Sequence, residues 1–429
     1  MSSGGTRRLS SRREFLGSLM ASDLVARQAV ARSTKNRPTF ARQVEWRRHP
    51  VAKIPHGYQL AVADTRGTGH GATEAGRPDI FALSSEESIV EWYKNPGWAS
   101  RSVTTATARN ISLAPLFRAG YPARGMALAS GFSLNDRASG GDVWWAEPGA
   151  DPDAEWILRG VARIPTAHRL RWADLDGDGR MELVIVPLLG AGAVPPEYDA
   201  GAPITWLEMP NTMLRGHVSA GDRAPGLWAP HLVDNTLRVV HGVQVMDWDG
   251  DRRDELLTAS FGGVHLFHSA GKGNSLKWTR TQLASGDQQS RPRRGASEIG
   301  VGRLAGRRFL ATIEPWHGEQ VVVYFDTKPR QLWERRVIDT SFRDGHALAV
   351  ADVNGDGNDE IVAGYRGQGT SLHVYYAADA AGKSWERQTL DNEIAASCVV
   401  VADLNGDGRL DVAALGASTA NVVWYENLG

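Results

Sequence analysis

Three features that recur about every fifty residues predict an all-β fold, a seven-bladed β-propeller of four-stranded blades. The first is a tryptophan at the start of a short segment, and it occurs at Trp46, Trp98, Trp156, Trp228, Trp278, Trp333 and Trp385. The second is a run of aromatic and β-branched residues, which are enriched in strands. The third is a loop rich in aspartate and glycine between two strand-like segments. The seven copies of the tryptophan set the number of blades.

Each repeat is interpreted as four strands that run from the inside of a blade to its outside. The inner strands are predicted to begin, within one residue, at Tyr58, Asn110, His168, His241, Glu298, His346 and Ser397. The third strands are the aromatic runs at residues 89–93, 143–145, 204–207, 264–267, 321–324, 372–375 and 422–425. The outer strands begin at the tryptophans.

The two ends of the chain predict how the ring closes. Residues 46–54 form an outer strand that precedes every inner strand, and the sequence stops just past the third strand that contains Tyr425. We therefore expect the N-terminal strand to complete the last blade, which removes free sheet edges. Residues 43–429 are predicted to form this single propeller, with no second domain.

Composition limits the classes of protein to which the chain can belong. Its 429 residues carry a formal net charge of −1 at pH 7, which gives no overall attraction to nucleic acid. The single cysteine, Cys398, excludes an internal disulfide framework, and its apolar neighbours favour a buried structural thiol. No apolar run is long enough to span a membrane.

Residues 1–40 are expected to lie outside the fold. Residues 11–17, Ser-Arg-Arg-Glu-Phe-Leu-Gly, are typical of a twin-arginine export signal, and residues 29–31 offer a cleavage site of small residues. Asp23 and Arg27 interrupt the apolar stretch between them, so a disordered basic tail is the alternative. If the signal is genuine, the protein is exported already folded and is periplasmic or secreted.

The acidic loops have the pattern of a calcium site. Oxygen side chains fall at positions 1, 3, 5 and 9 of each loop, and alternate residues that converge on one point suit a hard cation. The four predicted ligand sets are Asp174, Asp176, Asp178 and Glu182; Asp247, Asp249, Asp251 and Glu255; Asp352, Asn354, Asp356 and Glu360; and Asp403, Asn405, Asp407 and Asp411. Strand-like residues flank the loops where an EF-hand would have helices. Blade one keeps a copy at 64–70 in which Arg66 replaces a ligand, so up to four structural calcium ions are expected.

These repeats resemble the FG-GAP and VCBS repeats of integrin α-chains and of many secreted bacterial proteins. That resemblance implies the fold and calcium, but it leaves function open because the architecture hosts both adhesion modules and enzymes.

A narrower resemblance concerns most of residues 43–429. The segments 56–60, 131–134, 241–243 and 313–318 are similar to those of the N-terminal propeller of fungal aldos-2-ulose dehydratase. The resemblance implies dehydration of a 2-keto sugar such as 1,5-anhydro-D-fructose. In that family isomerisation is assigned to cupin domains, which this sequence lacks, so a homodimer or a cupin-type partner chain stays open.

Candidate catalytic residues lie where the inner strands begin, at the end of the channel that we call the mouth. His168, His241 and His346 start inner strands, and the loop that contains Glu314 and His317 is aimed at the same face. Insertions at 130–142, 187–203 and 281–297 are predicted to wall it. His56, Asn110 and Glu298 are near the starts of other inner strands, whereas His265, His268 and His373 lie in third strands and are interpreted as structural.

Dehydration beside a ketone needs a base for an acidic C–H, an acid for the departing hydroxyl, and a group that stabilises the enolate. His168 or His241 is the predicted base, and Glu314 with His317 supplies the acid or a second metal site. Three converging histidines could instead bind zinc. The structural alternative is that each histidine caps the backbone of a neighbouring blade.

Two other functions compete with a sugar dehydratase. Arg291, Arg293 and Arg294 could clamp an anionic sugar, which favours a polysaccharide lyase, although a solvated basic loop explains them as well. The second competitor is a non-enzymatic, calcium-dependent module that binds a glycan or a protein. No phosphate-binding loop, nucleophile elbow or zinc-protease motif is found.

Overall fold

The computed structural model describes residues 40–66, 77–118, 121, 123–135, 140–151, 153–214, 228–289 and 291–429. Twenty-eight strands form seven antiparallel four-stranded sheets, which confirms the predicted seven-bladed β-propeller. The described residues contain only two helical segments, α1 (Asn211–Leu214) and a 3₁₀ turn (Gly273–Ser275). Neither helix is long and apolar enough to cross a membrane.

The blades follow one another along the chain. Blade one contains β2 (Gly57–Ala63), β3 (Asp79–Ser84), β4 (Val90–Lys94) and β5 (Ala99–Thr104). Blade two contains β6 (Ser112–Leu116), β7 (Gly125–Ser130), β8 (Asp142–Glu147) and β9 (Ile157–Arg163). Blade three contains β10 (Ala167–Ala173), β11 (Glu182–Pro187), β12 (Ile204–Leu207) and β13 (Pro230–Asp234). Blade four contains β14 (Gly242–Met246), β15 (Glu255–Ser260), β16 (Gly263–Ala270) and β17 (Lys277–Ala284).

The last three blades repeat the pattern. Blade five contains β18 (Ile299–Leu304), β19 (Arg307–Glu314), β20 (Gln320–Phe325) and β21 (Glu334–Asp339). Blade six contains β22 (Gly345–Ala351), β23 (Glu360–Tyr365), β24 (Ser371–Ala377) and β25 (Trp385–Asp391). Blade seven contains β26 (Ala396–Ala402), β27 (Asp411–Gly416), β28 (Asn421–Asn427) and the first strand of the chain, β1 (Trp46–Lys53), which pairs antiparallel with β28.

The hydrophobic core lies between the blades. Seven clusters of buried side chains each combine residues of two adjacent blades, and one of them joins blade seven to blade one. The second and third strands supply most of these residues, which is why their sequences are almost continuously apolar or aromatic. Because each blade buries both faces of its sheet, its neighbours fix its position in the ring.

The recurring tryptophans mark contacts between blades. The backbone N–H of Trp156 donates to Val103 O at 2.9 Å, that of Trp228 to Val161 O at 2.7 Å, and that of Trp333 to Leu283 O at 2.8 Å. In each case the acceptor lies in the outer strand of the preceding blade. Three of the seven recurring tryptophans thus make the same backbone contact between successive blades, whereas the N–H of Trp98 bonds to Lys94 O in its own blade.

The inner strands begin close to the predicted positions. Six start within one residue of the prediction, whereas β6 starts at Ser112, two residues after Asn110. The mouth lies at this end, and the acidic loops follow the other end of β10, β14, β22 and β26. His168 and Asp174 are six residues apart on one strand, or about 20 Å at a rise of about 3.3 Å per residue. The mouth and the acidic loops are thus on opposite faces of the ring.

Candidate functional site

The mouth gathers four histidines from four blades. His168 lies in β10, His241 precedes β14, His346 lies in β22, and His317 lies in the connection from β19 to β20. The ring centroid of His241 is 4.6 Å from that of His168, 4.7 Å from that of His317 and 5.0 Å from that of His346. The structure therefore brings together all four histidines that were predicted from the sequence.

His241 and His346 are held in the same way. The Nδ1 atom of His241 is 3.1 Å from Ser297 O, and the Nδ1 atom of His346 is 2.6 Å from Ser397 O. A carbonyl oxygen only accepts, so both Nδ1 atoms carry the proton and donate, and in the neutral ring Nε2 keeps a lone pair. Each histidine therefore caps the backbone of the next blade and presents Nε2 to the mouth.

His317 completes a group that could hold a metal ion. Its Nε2 atom is 2.9 Å from His241 Nε2, and one nitrogen from each of His241, His317 and His346 lies within 4.8 Å of the others. On the far side of the ring, Nδ1 of His317 is 3.4 Å from Arg366 Nη2 and 3.5 Å from Asp344 Oδ1. Three imidazoles facing one point match the donor set of catalytic zinc.

A tyrosine links the remaining histidine to this group. The Tyr58 hydroxyl, at the start of β2, is 2.7 Å from His168 Nε2 and 3.2 Å from His346 Nε2. His168 is only 1% exposed, and its Nδ1 atom is buried with no hydrogen-bond partner among the described residues. Tyr58 is partly exposed and lies between the two histidines.

A buried ion pair lies beside Tyr58. Arg169 Nη2 is 2.7 Å from Glu298 Oε1, and the same carboxylate oxygen is 3.0 Å from His241 Nδ1. The Arg169 guanidinium also approaches the Tyr58 hydroxyl, with Nη1 at 3.4 Å. Burial would raise the pKa of Glu298, but Arg169 and His241 outweigh it and lower that pKa, so the carboxylate stays ionised.

The histidines of the mouth are neutral near pH 7. Burial is the largest cause that lowers the pKa of His168, His317 and His346 well below the usual 6.5, and neighbouring arginines act in the same direction. The pKa of His241 is also lowered by burial, although Glu298 opposes the effect. Neutral imidazoles are the form that accepts protons or binds metal ions.

Glu314 does not join the histidines, contrary to the expectation that it acts with His317. Its Oε1 atom accepts hydrogen bonds from the hydroxyls of Tyr324 at 2.6 Å and Thr312 at 2.8 Å, and Oε2 is 2.8 Å from Arg335 Nε. All three partners belong to blade five, and the side chain is fully buried. Side chains alternate between the two faces of β19, and the side chain of Glu314 points into blade five. Glu314 therefore stabilises the strand that leads into the His317 loop.

The three loop arginines are each engaged with neighbouring side chains. Arg291 contacts Glu197 and Asp199, Arg293 contacts Glu319, and Arg294 contacts Gln288. An anionic sugar would have to replace these contacts. Next to His317 lies a cleft of about 330 Å³ whose lining includes Arg293, Glu319, Phe342 and Arg343. Of the mouth histidines only His317 lines this cleft.

The four acidic loops share one conformation. In each loop the first aspartate accepts a backbone N–H from position 6, at 3.0 Å for Gly179, 3.2 Å for Arg252 and 2.9 Å for both Gly357 and Gly408. In two loops the three aspartates place their oxygens within 4.8 Å of one another. Most copies have a glycine with positive φ at position 6, but Arg252 takes this place in blade four at φ 74°.

The ninth residue of each loop is buried. One oxygen of Glu182, Glu255, Glu360 and Asp411 accepts the backbone N–H of position 2, at 2.7 to 3.0 Å. Burial, with the nearby carboxylates, raises the pKa of Glu360 to about 9 and that of Glu182 to about 8. These acids hold each loop against the second strand through their hydrogen bonds. An ion bound among the aspartates would reduce the charge repulsion that, together with burial, raises the pKa of the ninth residue.

Arg66 replaces a ligand in the altered loop of blade one. Its guanidinium donates to Asn95 O at 2.9 Å and to Arg77 O. Residues 67–76 of this loop lie outside the described residues, as does the predicted export signal.

Three functional candidates were missed in the sequence, and two residues expected near the mouth have other contacts. Tyr58 and Glu298 were counted only as strand starts, and Arg169 was not considered, although each neighbours a predicted mouth position. His56 is exposed and pairs with Glu86, and the Asn110 amide donates to backbone oxygens. The signal in the sequence for Tyr58 was its position at the start of an inner strand. Asn110 has the same predicted position, so the local sequence does not distinguish the two residues.

The fold and the repeated loops define a seven-bladed β-propeller with FG-GAP-type repeats. Comparisons with known proteins agree with this class, since residues 352–414 match the FG-GAP-like repeat. Residues 140–328 match the family "Aldos-2-ulose dehydratase, beta-propeller domain". The resemblance inferred from the sequence is thereby confirmed.

One curated relative and one solved structure indicate how far the likeness extends. The chain is 26% identical over 319 residues to aldos-2-ulose dehydratase of Phanerodontia chrysosporium, which covers 67% of this chain and 33% of that protein. The chain thus spans about a third of the relative's length. A putative 6-phosphogluconolactonase from Bacteroides fragilis has a TM-score of 0.47 at 11% identity, over 87% of this chain and 94% of that one, and carries no argument about function.

Proposed function

We propose that the chain is a carbon–oxygen lyase that dehydrates a 2-keto sugar at the propeller mouth, with 1,5-anhydro-D-fructose as the substrate to test. The observation that carries the proposal is the convergence of His241, His317 and His346, two of which have their Nδ1 protons committed to backbone carbonyls. The similarity to the propeller domain of a dehydratase supports the choice of reaction class.

The three histidines would hold a zinc ion. Their donor set fits, because all three rings are neutral and two Nε2 lone pairs are already oriented toward the mouth. Bound zinc would polarise the ketone of the sugar and stabilise the enolate that forms when the neighbouring C–H loses its proton. The protein itself keeps Glu298 and Arg169 paired beside the cluster.

The proposed proton acceptor is His168, on the side of His241 that faces blade three. His168 is neutral, and its Nε2 atom is 2.7 Å from the Tyr58 hydroxyl and 3.1 Å from Arg169 Nη1 rather than in contact with a backbone carbonyl. His241 is less suited to act as the base that was predicted from the sequence, because its Nδ1 is committed to Ser297 and Glu298 and its Nε2 faces His317. The base therefore belongs on the His168 side.

The test is enone formation from 1,5-anhydro-D-fructose, followed by ultraviolet absorbance, with zinc-loaded and chelator-treated protein. His346→Gln should bind less zinc and lose at least about 100-fold in rate, because a neutral amide is a poor zinc ligand. The matched control is His231→Gln, since His231 stacks on Trp206 in the outer part of blade three. A folded, zinc-loaded wild type that forms no enone would refute the proposal, and so would full activity in His346→Gln.

The four acidic loops are proposed to bind structural calcium. Their oxygen-only ligands suit a hard cation, and they lie about 20 Å from the mouth along the inner strands. Calcium should therefore stabilise the ring without entering the reaction. Export through the twin-arginine segment remains a proposal that rests on the sequence of residues 1–40 alone.

A further inference from the structure

The acidic loop of blade four differs from the other three in the residue that lies across from its ninth position. Phe267 pairs with Leu256, so the next residue, His268, lies opposite Glu255 on the neighbouring strand. Residues that face each other in such a pair have Cβ atoms about 4.5–5.5 Å apart and share one face of the sheet. A histidine of the third strand therefore lies beside the acid that closes the loop.

The other three blades have no histidine at this place. The strand registers put there, in chain order, Glu208, Tyr376 and Glu426. Glu208 lies 3.6 Å from Arg180, the Tyr376 hydroxyl donates to Gln388 at 2.8 Å, and Glu426 is 2.9 Å from His49 Nε2. Blade four is thus the copy in which an imidazole faces the ninth residue of the loop.

Three side chains of blade four converge closely enough to share one ion, and we call them the blade-four group. One nitrogen of His268 and one oxygen from each of Asp249 and Glu255 lie within 4.8 Å of one another. The donors of one zinc ion, bound at about 2.0–2.2 Å, lie within about 4 Å of one another, so small side-chain rotations would complete the site. Among the described residues, no side chain or backbone group hydrogen-bonds to the His268 imidazole.

The carboxylates of the blade-four group have no basic side chain as a partner. Glu255 is 1% exposed, and in the described part of the chain neither Glu255 nor Asp249 forms an ion pair. Arg308 packs on the Trp248 ring and donates to Trp248 O at 2.7 Å instead. Buried carboxylates are paired with cations or coordinate metal ions, so this group is suited to receive a cation.

We propose that Asp249, Glu255 and His268 bind a divalent transition-metal ion, with zinc as the ion to test. A donor set that mixes imidazole with carboxylates suits zinc, whereas calcium takes oxygen ligands. The inference narrows the calcium proposal at one of the four loops and does not depend on the dehydration reaction. A bound ion would join the loop, the start of β15 and the end of β16 within blade four.

The test measures zinc binding to the full chain by equilibrium dialysis and elemental analysis, with calcium in excess. The His346→Gln background weakens the zinc site proposed at the mouth, so the zinc that still binds belongs to blade four. In this background His268→Gln should lower the zinc affinity at least about 10-fold, because loss of an outer partner of a ligand alone has an effect of that size. His231→Gln, whose imidazole stacks on Trp206, is the matched control and should keep the zinc.

Two aspartates of the same loop distinguish this site from an ordinary loop ion. Asp249→Ala should lose the zinc, whereas Asp251→Ala should keep it, because Asp251 lies outside the blade-four group. The melting temperature of each variant without metal shows that it is folded. The inference is wrong if no zinc binds in the His346→Gln background, or if Asp251→Ala loses zinc that His268→Gln keeps. Either result concerns binding in blade four alone and leaves enone formation at the mouth as a separate test.

Discussion

The two ends of the inner strands carry opposite chemistry and are built in opposite ways. At the acidic end each candidate site comes from one loop of nine residues, such as residues 352–360. At the mouth the histidines come from four blades, and Tyr58 from a fifth. The propeller thus separates a local site, repeated in four of its seven blades, from a single site that forms only where several blades meet.

The largest expected effect on stability is at the mouth. Arg169→Met leaves Glu298 buried without its cation and should lower the free energy of unfolding by about 3–5 kcal/mol. The double variant Arg169→Met, Glu298→Gln should recover most of this loss, because no lone charge is then buried. Urea unfolding measures both, and an equally unstable double variant would show that the ion pair is not the cause.

The buried histidine His373 makes the free energy of unfolding depend on pH. Burial, aided by Arg387, lowers the pKa of His373 to about 4 from the usual 6.5. The unfolded chain takes up this proton first, so the stabilisation is complete above pH 6.5 and is lost as the pH falls toward 4. The loss is at most about 3 kcal/mol for a shift of about 2.5 pH units.

The substitution His373→Phe isolates this contribution. Phe342, Tyr365 and Tyr375 surround His373 with ring centroids 6.0 to 6.3 Å away, so phenylalanine fits the site. The variant should lose less stability than wild type between pH 7 and 4.5 in urea unfolding, and His231→Phe should not. Equal losses in wild type and His373→Phe would contradict the assignment.

The smallest expected effect is at a single acidic loop. One calcium site stabilises the folded state by about 2.7 kcal/mol when calcium is at one hundred times the dissociation constant. Asp352→Ala should remove this contribution from one loop. Enone formation should stay unchanged, because the loop is about 20 Å from the mouth. Calorimetry with and without calcium measures the shift, and Asp326→Ala, an exposed aspartate outside the loops, is the control.

That loop experiment can also overturn the separation of the two ends. If calcium removal abolished enone formation while the melting temperature held, the acidic loops would belong to the reaction rather than to the scaffold. If Asp352→Ala and Asp326→Ala responded alike to calcium, this loop would not hold the ion.

The repeat, the number of blades and the acidic loops could all be predicted from the sequence. Trp156, Trp228 and Trp333 each make the same backbone contact with the preceding blade. The loops can be recognised in the sequence because the side chains at positions 1, 3 and 5 converge within one turn of the chain. This convergence depends only on the spacing of neighbouring residues. His168, His241 and His346 were found for a related reason, since strand-start position is itself set by the repeat.

Which groups meet at the mouth depends on how the blades pack. Tyr58 and His346 are 288 residues apart, and their contact depends on the curvature of the ring. Glu314 shows the converse, because it lies three residues before His317 yet points into its own blade toward Tyr324. Sequence spacing fixes the position of a residue along a strand, but the direction of its side chain and its partners across the channel depend on how seven blades pack against one another.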